Sequence, residues 1–468
     1  MCVVLVLCGQ FSFGKQVAVN TANTVGYNFC KSQGAEISPD ALSLVYTAAS
    51  KVNGKEVNDF YVFNTGANGF VIVAADDNVV PVLAYSTESS FNPGNFSPEL
   101  TWWLNNYTSQ INYVIGNNTI SPLNTAAQWT ELSQAQHVAA HKTTGGVVYP
   151  LLTTMWNQEP FYNYMCPYDY GAGANVVTGC VATAMAQVMK YWNWPKKGVG
   201  SHSYSDGGYG PLSADFGATV YQWDSMPKIV GNNNPAVGTL MLHTGVSVNM
   251  NYGVSGSGAQ VISGGNPSAI CTQNALPDYF RYKSTLEGLD RGSYNDSDWV
   301  HILKHEIDSK RPVIYSGYGS GGGHCFIADG YITYDRFHIN WGWGGNFNGY
   351  FIVENLAPGS ETFNDGQSII IGIEPDTINT TGIKEMETQS ALSVYPNPAN
   401  NVVKIELTST KATNIRILDA LGQVVMEKTP ATNTTIETIA VNGLAEGDYI
   451  AEIQTATGTF TRKIVIAR

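Results

Sequence analysis

Residues 178–192 read TGCVATAMAQVMKYW, and within them Val181, Met185, Val188, Met189 and Trp192 recur at the spacing of one helix face. Cys180 stands where that helix begins. Free N–H groups and the macrodipole at a helix N-terminus favour a thiolate, the reactive form of cysteine. An unpaired cysteine is as often a buried core residue, so the position alone leaves both readings open.

A thiol nucleophile needs a base, and His324 in GYGSGGGHCFIADG lies 144 residues downstream, within the range between nucleophile and histidine in papain-like enzymes. The glycine run suits a mobile loop, and the apolar run CFIADGYI after it predicts a strand that holds the ring. The next strand, RFHINWGWGG, carries Asn340 and Trp341. The Asn340 carbonyl can accept from the imidazole, and Trp341 can shield that bond from water. Core and turn packing is the bland reading of both. His338, two residues before Asn340 on the same strand face, is a reserve base. Upstream, Gln158 in MWNQEPFYN offers a side-chain amide which, with the Cys180 backbone N–H, can form an oxyanion hole.

Other patterns carry no chemistry. Gly317–Gly322 satisfies GxGxxG, but a strand follows where dinucleotide binding needs a helix. His301 and His305 sit at i, i+4 beside Glu306 outside an HExxH frame, on what reads as an ordinary amphipathic helix. Cys325, inside an apolar strand next to His324, is expected to be buried and inert. Cys166 and Cys271 are packed thiols or a pair.

The whole chain sets the setting. Its 468 residues suit about three domains. A net charge of -13 has the wrong sign for binding nucleic acid, and only 13% of residues are charged, as in loop-rich exported proteins. Residues 1–14, MCVVLVLCGQFSFG, read as a signal peptide, and elsewhere no apolar stretch predicts a membrane span. Seven cysteines, two of them in that leader, leave an odd number without disulfide spacing. Residues 15–145 hold short alternating runs (DFYVFN, GFVIVAADD) around a TGANG turn and a helix at TWWLNNYTSQINYVI, with no catalytic set. Residues 146–374 carry the chemistry, 375–392 are a polar linker, and 393–468 read as a small all-β sandwich without Cys or His.

At TGCVATAMAQVMKYWNWPKKG, GGHCFIADG, HINWGWGG and WNQ the chain resembles the streptopain and interpain family of papain-like cysteine peptidases. That resemblance implies an α+β papain-like domain with Cys180, His324, Asn340 and Trp341 as catalytic residues and Gln158 with Cys180 at the oxyanion hole. It implies no metal or organic cofactor. Residues 60–115 are similar to the family's inhibitory propeptide, which implies a zymogen whose own propeptide is an intramolecular partner. The end of the chain (YPNP at 395–398, LGQVV at 421–425, GLAEGDYI at 443–450) resembles the C-terminal sorting domain of the type IX secretion system. A cysteine endopeptidase acting on proteins and peptides is therefore expected, secreted or on the outer surface of a Gram-negative bacterium, with that export machinery as partner. A non-catalytic surface adhesin and a cysteine acyl transferase are the alternatives.

Overall fold

The computed structural model describes residues 15–66, 68–94, 96–117, 119, 123–134, 146–319, 322–353, 366–377, 392–407, 412–419, 422–430, 436–455 and 458–468. The expected leader 1–14, the centre of the Gly run (320–321) and most of the 375–392 linker fall outside them, as do residues 135–145. Two compact units result, one ending at Asp376 and one starting at Thr377.

The first unit opens with α1 (Val19–Ser32), then a meander of β1 (Ser43–Val52), β2 (Lys55–Asn64), β3 (Phe70–Ala74) and β4 (Val82–Ser86). The TGANG turn joins β2 to β3 as expected, with Thr65 N–H donating to Gly69 O at 2.9 Å. Strands β3 and β4 are buried at every position, because α1 packs against them. Then come α2 (Pro98–Asn117) and α3 (Leu123–Ser133). A short pair, β5 (Tyr168–Asp169) and β6 (Ala174–Asn175), precedes α4 (Cys180–Trp192), the helix of the opening motif. A hairpin of β7 (Ser201–Asp206) and β8 (Gly210–Asp215), then α5 (Pro235–Ser247), α6 (Thr272–Phe280), β9 (Glu287–Asp290) and α7 (Asp296–Asp308), lead to the antiparallel strands β10 (Val313–Gly319), β11 (Gly322–Ile332), β12 (Arg336–Asn340), β13 (Gly349–Ile352) and β14 (Gln367–Ile371). The GxGxxG pattern is thus a β10–β11 hairpin.

The N-terminal segment does not pack as a separate domain. Its edge strand β4 pairs antiparallel with β13 through Tyr85 and Tyr350 and through Ala84 and Phe351. One sheet of ten strands runs β1-β2-β3-β4-β13-β12-β11-β10-β14-β9. A single apolar core extends from Phe29 and Val73 through Trp103 and Tyr107 to Phe326, Trp341 and Phe351. A second core, on the α4 side, contains Met185, Met189, Leu240, Cys325 and Ile327. Cys166 and Cys271 are buried free thiols, so the paired alternative is not realised.

The second unit is all β, as expected. Its three-stranded sheet holds β15 (Leu392–Tyr395) and β16 (Val402–Leu407), and its four-stranded sheet holds β17 (Ala412–Leu418) and β18 (Val424–Lys428). Strand β19 (Ile436–Ala440) completes the first sheet, and β20 (Gly447–Thr455) with β21 (Gly458–Ile466) the second. Alternate residues Ile405, Ile415, Ile417, Ile439, Ile453 and Ile464 form the filling. Among the described residues no helix is long and apolar enough to cross a membrane.

Candidate active site

Gly179 caps α4 with φ of 87°, a left-handed conformation that disfavours any side chain. A Cβ there would also meet Ser257 O at 2.8 Å and Met250 Sδ at 2.9 Å. This glycine turns the chain so that Cys180 enters the helix with its thiol beside the backbone of Cys325 in β11, the residue that follows His324.

The thiol is not a thiolate in this state. Burial and, after it, the charge of Glu99 push the Cys180 pKa up to about 12. Loss of hydration outweighs a helix-terminus effect worth about 0.3–1 kcal/mol. The expected activation by the helix start is therefore overridden while the thiol stays covered.

His324 lies near the start of β11, with Gly317 of β10 directly opposite it. Along β11, Phe326 and Ala328 face the core shared with the N-terminal segment, whereas Cys325 and Ile327 face the α4 core. The His324 ring lies on the first side, 6.1 Å from the Trp102 ring, and no hydrogen bond joins it to Cys180. Burial lowers its pKa, which favours the neutral imidazole.

Glu99 acts on both groups. It occupies the first turn of α2, where the Ser97 hydroxyl accepts from Leu100 N–H at 3.1 Å and fixes the helix start. Its Oε1 is 3.9 Å from His324 Nδ1, and its buried Oε2 has no hydrogen-bond partner. Burial pushes its pKa up to about 7. The Trp343 indole N–H faces the same carboxyl without closing a bond of normal length. Sequence reasoning missed Glu99, because nothing local marks a carboxylate that becomes important only on docking. It also missed Trp343, which lies in the turn after β12, where no strand periodicity marks it.

The Gln158 carbonyl accepts from Thr178 N–H at 3.4 Å, which ties it to the run before Cys180. Its side-chain amide has no hydrogen-bond partner among the described residues and remains available to a ligand. Asn340 is not in that position. Its Nδ2 donates to Thr154 O at 2.9 Å and its Oδ1 accepts from Gln187 Nε2 at 3.2 Å and from Gly342 N–H at 3.1 Å. Gln187, two turns along α4 from Cys180, also accepts from Trp156 N–H at 3.2 Å. The expected Asn340–imidazole bond is absent here because Asn340 lies opposite Ile327, on the α4 face of the sheet. Trp341 is fully buried on the other face against Trp103, Phe326 and Phe351, its indole donating to Phe347 O at 3.0 Å. It does not cover His324.

His338 is no reserve base. Its Nδ1 is 2.5 Å from Asp329 Oδ1, and its Nε2 is 2.9 Å from Glu88 Oε1 of the N-terminal segment. Burial alone would lower its pKa, but the two carboxylates outweigh burial and hold it up to about 9. A ring that is already protonated at neutral pH is a poor base. His301 and His305 are exposed on α7, and no metal-binding cluster occurs among the described residues. Cys325 is buried, as expected, and burial raises its pKa.

Comparison with known proteins places these features in a family. Residues 156–351 match the Peptidase C10 family, 14–111 the Spi protease inhibitor and 393–467 a secretion system C-terminal sorting domain. The chain is 31% identical over 373 residues to streptopain of Streptococcus pyogenes serotype M1, covering 73% of this chain and 88% of that protein. It is 30% identical over 436 residues to the thiol protease/hemagglutinin PrtT of Porphyromonas gingivalis, covering 88% of this chain and 48% of that protein, so it spans about half of that relative. The solved structure of a prointerpain A fragment from Prevotella intermedia superposes with a TM-score of 0.55 at 31% identity, over 70% of this chain and 99% of the fragment. The sorting domain marks export by the type IX secretion system, to the cell surface or beyond it. An inhibitor-type segment, a papain-like domain presenting Cys180 and a sorting domain thus follow one another, and the chain belongs to the Peptidase C10 family of cysteine peptidases.

Proposed function

We propose that this chain is the latent precursor of an exported cysteine endopeptidase that hydrolyses protein and peptide substrates with Cys180 as nucleophile and His324 as base. The observation that carries this reading is that one carboxyl, Glu99, acts on both groups: its charge raises the Cys180 pKa and its Oε1 lies 3.9 Å from His324 Nδ1. Residues 15–145 are the latency segment, excised near 140–150 to give a peptidase domain over 146–374. The linker 375–392 carries the second cleavage, and 393–468 engages the export machinery.

Once α2 leaves the cleft, His324 takes the thiol proton and the sulfur adds to the substrate carbonyl carbon. The Gln158 amide and the Cys180 backbone N–H donate to the developing oxyanion. His324 then passes its proton to the departing nitrogen, the C–N bond breaks and a thioester remains. Water, losing a proton to His324, adds to that thioester. The C–S bond breaks, the acid departs and the thiol is restored. Asn340 supports this set indirectly by bracing β12 against α4 through Gln187, and Trp341 by anchoring the loop that carries Trp343. An Asn340–His324 bond in the processed enzyme would require its amide to leave Gln187.

The test is the full-length chain beside its Cys180→Ala variant. The unaltered protein is expected to process itself, cleave protein substrate and take an epoxide thiol inhibitor at residue 180. Peptidase activity surviving in the variant would refute the assignment. Amine incorporation exceeding hydrolysis would instead make the chain an acyl transferase.

A further inference from the structure

Gly317 begins the GxGxxG pattern that the chemistry did not absorb, and its place in the sheet gives it another use. It pairs directly with His324 across β10 and β11, so both residues point to the same face. The Trp102 indole of α2 lies flat on that spot. A Cβ built at Gly317 would overlap three carbons of the indole. Trp102 also lies 6.1 Å from the His324 ring. The absence of a side chain at 317 thus creates a flat recess beside the catalytic imidazole, filled in the precursor by the largest side chain available.

The order of residues along α2 points to the part of a substrate this recess serves. Glu99 acts on both thiol and imidazole, and Trp102 follows three residues later, just under one helical turn and about 4.5 Å along the axis. That is close to the advance of one residue in an extended chain, about 3.3–3.6 Å. The imidazole delivers its proton to the departing amine, so its side away from the thiol faces the leaving group. We propose that the Gly317 recess is the subsite for the first residue on the leaving-group side of the cleaved bond, and that it selects a large aromatic side chain there, with Trp102 as its occupant in the latent state. This rests on the peptidase reading above.

The experiment uses enzyme processed from the full-length chain and a set of internally quenched peptides that differ only at the first leaving-side residue: Trp, Phe, Ala or Asp. The unaltered enzyme is expected to favour Trp and Phe over Ala and Asp in kcat/KM by about tenfold or more, the discrimination a shaped apolar pocket supplies. Gly317→Val, filling the recess, should collapse the Trp-to-Ala ratio by about the same factor, mainly through KM. If that variant fails to fold or process, the unaltered enzyme's preference decides alone. Equal cleavage of all four peptides overturns the subsite and leaves the peptidase reading standing. A Gly317→Val enzyme with an unchanged ratio, altered only in how fast its precursor matures, likewise overturns it, since the glycine would then serve docking alone. No cleavage of any peptide, with Cys180 unreactive to epoxide, overturns both.

Discussion

Glu99 Oε1 lies 3.9 Å from His324 Nδ1, and the other oxygen of that carboxyl is buried with no hydrogen-bond partner. The groups facing it are the thiols of Cys180 and Cys325, the His324 imidazole, the Ser97 hydroxyl and the Trp343 indole. None is a cation in this state, so ionised Glu99 would be an uncompensated buried charge. Latency is therefore tied to a group that docks best when neutral.

A pH dependence follows from the sign of that shift. The docked pKa, about 7, is above the ordinary 4.5. This contribution to docking is complete at pH below the ordinary value and is lost as pH rises through about 7. In a Cys180→Ala precursor, amide exchange in α2, corrected for its intrinsic pH dependence, should accelerate between pH 5 and about pH 8. Adding Glu99→Gln should flatten that rise, and an equal rise with Gln would remove Glu99 from the account.

His338 and Glu88 act oppositely. Burial would raise the Glu88 pKa, but the contact with His338 outweighs it and lowers the value. Docking through this pair is present above the ordinary carboxylate range and lost as pH falls. Glu88→Gln keeps the Asp329–His338 pair and removes one charged contact, a cost of about 1.5–3 kcal/mol to the precursor. Denaturant unfolding of precursor and of processed enzyme should show the loss in the precursor only.

Trp103 is almost fully buried and packs edge-on against Trp341 at 5.8 Å and Phe326 at 5.6 Å. Trp103→Ala should destabilise the precursor by about 3–5 kcal/mol. Unscheduled processing is expected, read as mature-sized product at times when the unaltered chain is still intact.

Thiol reactivity should report the covered state. Cys180, at about 12 in the precursor, is almost wholly protonated at neutral pH. Removing α2 takes away the Glu99 charge, the second of the two causes that raise the Cys180 pKa. Iodoacetamide should therefore modify Cys180 on the order of a hundredfold faster in processed enzyme at pH 7. Equal rates would mean that the segment does not govern the thiol.

Asn340→Ala strands the Gln187 amide, a buried group whose loss of partner costs about 1–3 kcal/mol. Thermal unfolding of the processed enzyme should register that cost, with a fall in kcat of under about tenfold. A fall of several hundredfold at unchanged stability would give Asn340 a direct hold on His324.

Local pattern made much of this legible. Helix α4 could be read from its apolar spacing, the β-hairpin from TGANG, and the sandwich from alternating Ile and Val, because each depends on contacts within a few residues. The helix start at Cys180 and the strand that carries His324 were legible for the same reason. Asn340 and Trp341 were misjudged in what they touch. Which face of β12 meets which core is set by its pairing with β11, Asn340 opposite Ile327 and Ile339 opposite Ala328, and alternation alone does not say which side is which.

Periodicity and side-chain chemistry were enough to read the elements, the order of the three segments and the residue types able to break an amide bond. That the Cys180 thiol is buried and protonated, that β4 completes the sheet of β13 and that Glu99 and Trp102 lie beside His324 emerged from the folded chain alone. Burial and charge at a point in space are set by every segment that arrives there, and those segments come from distant parts of the chain.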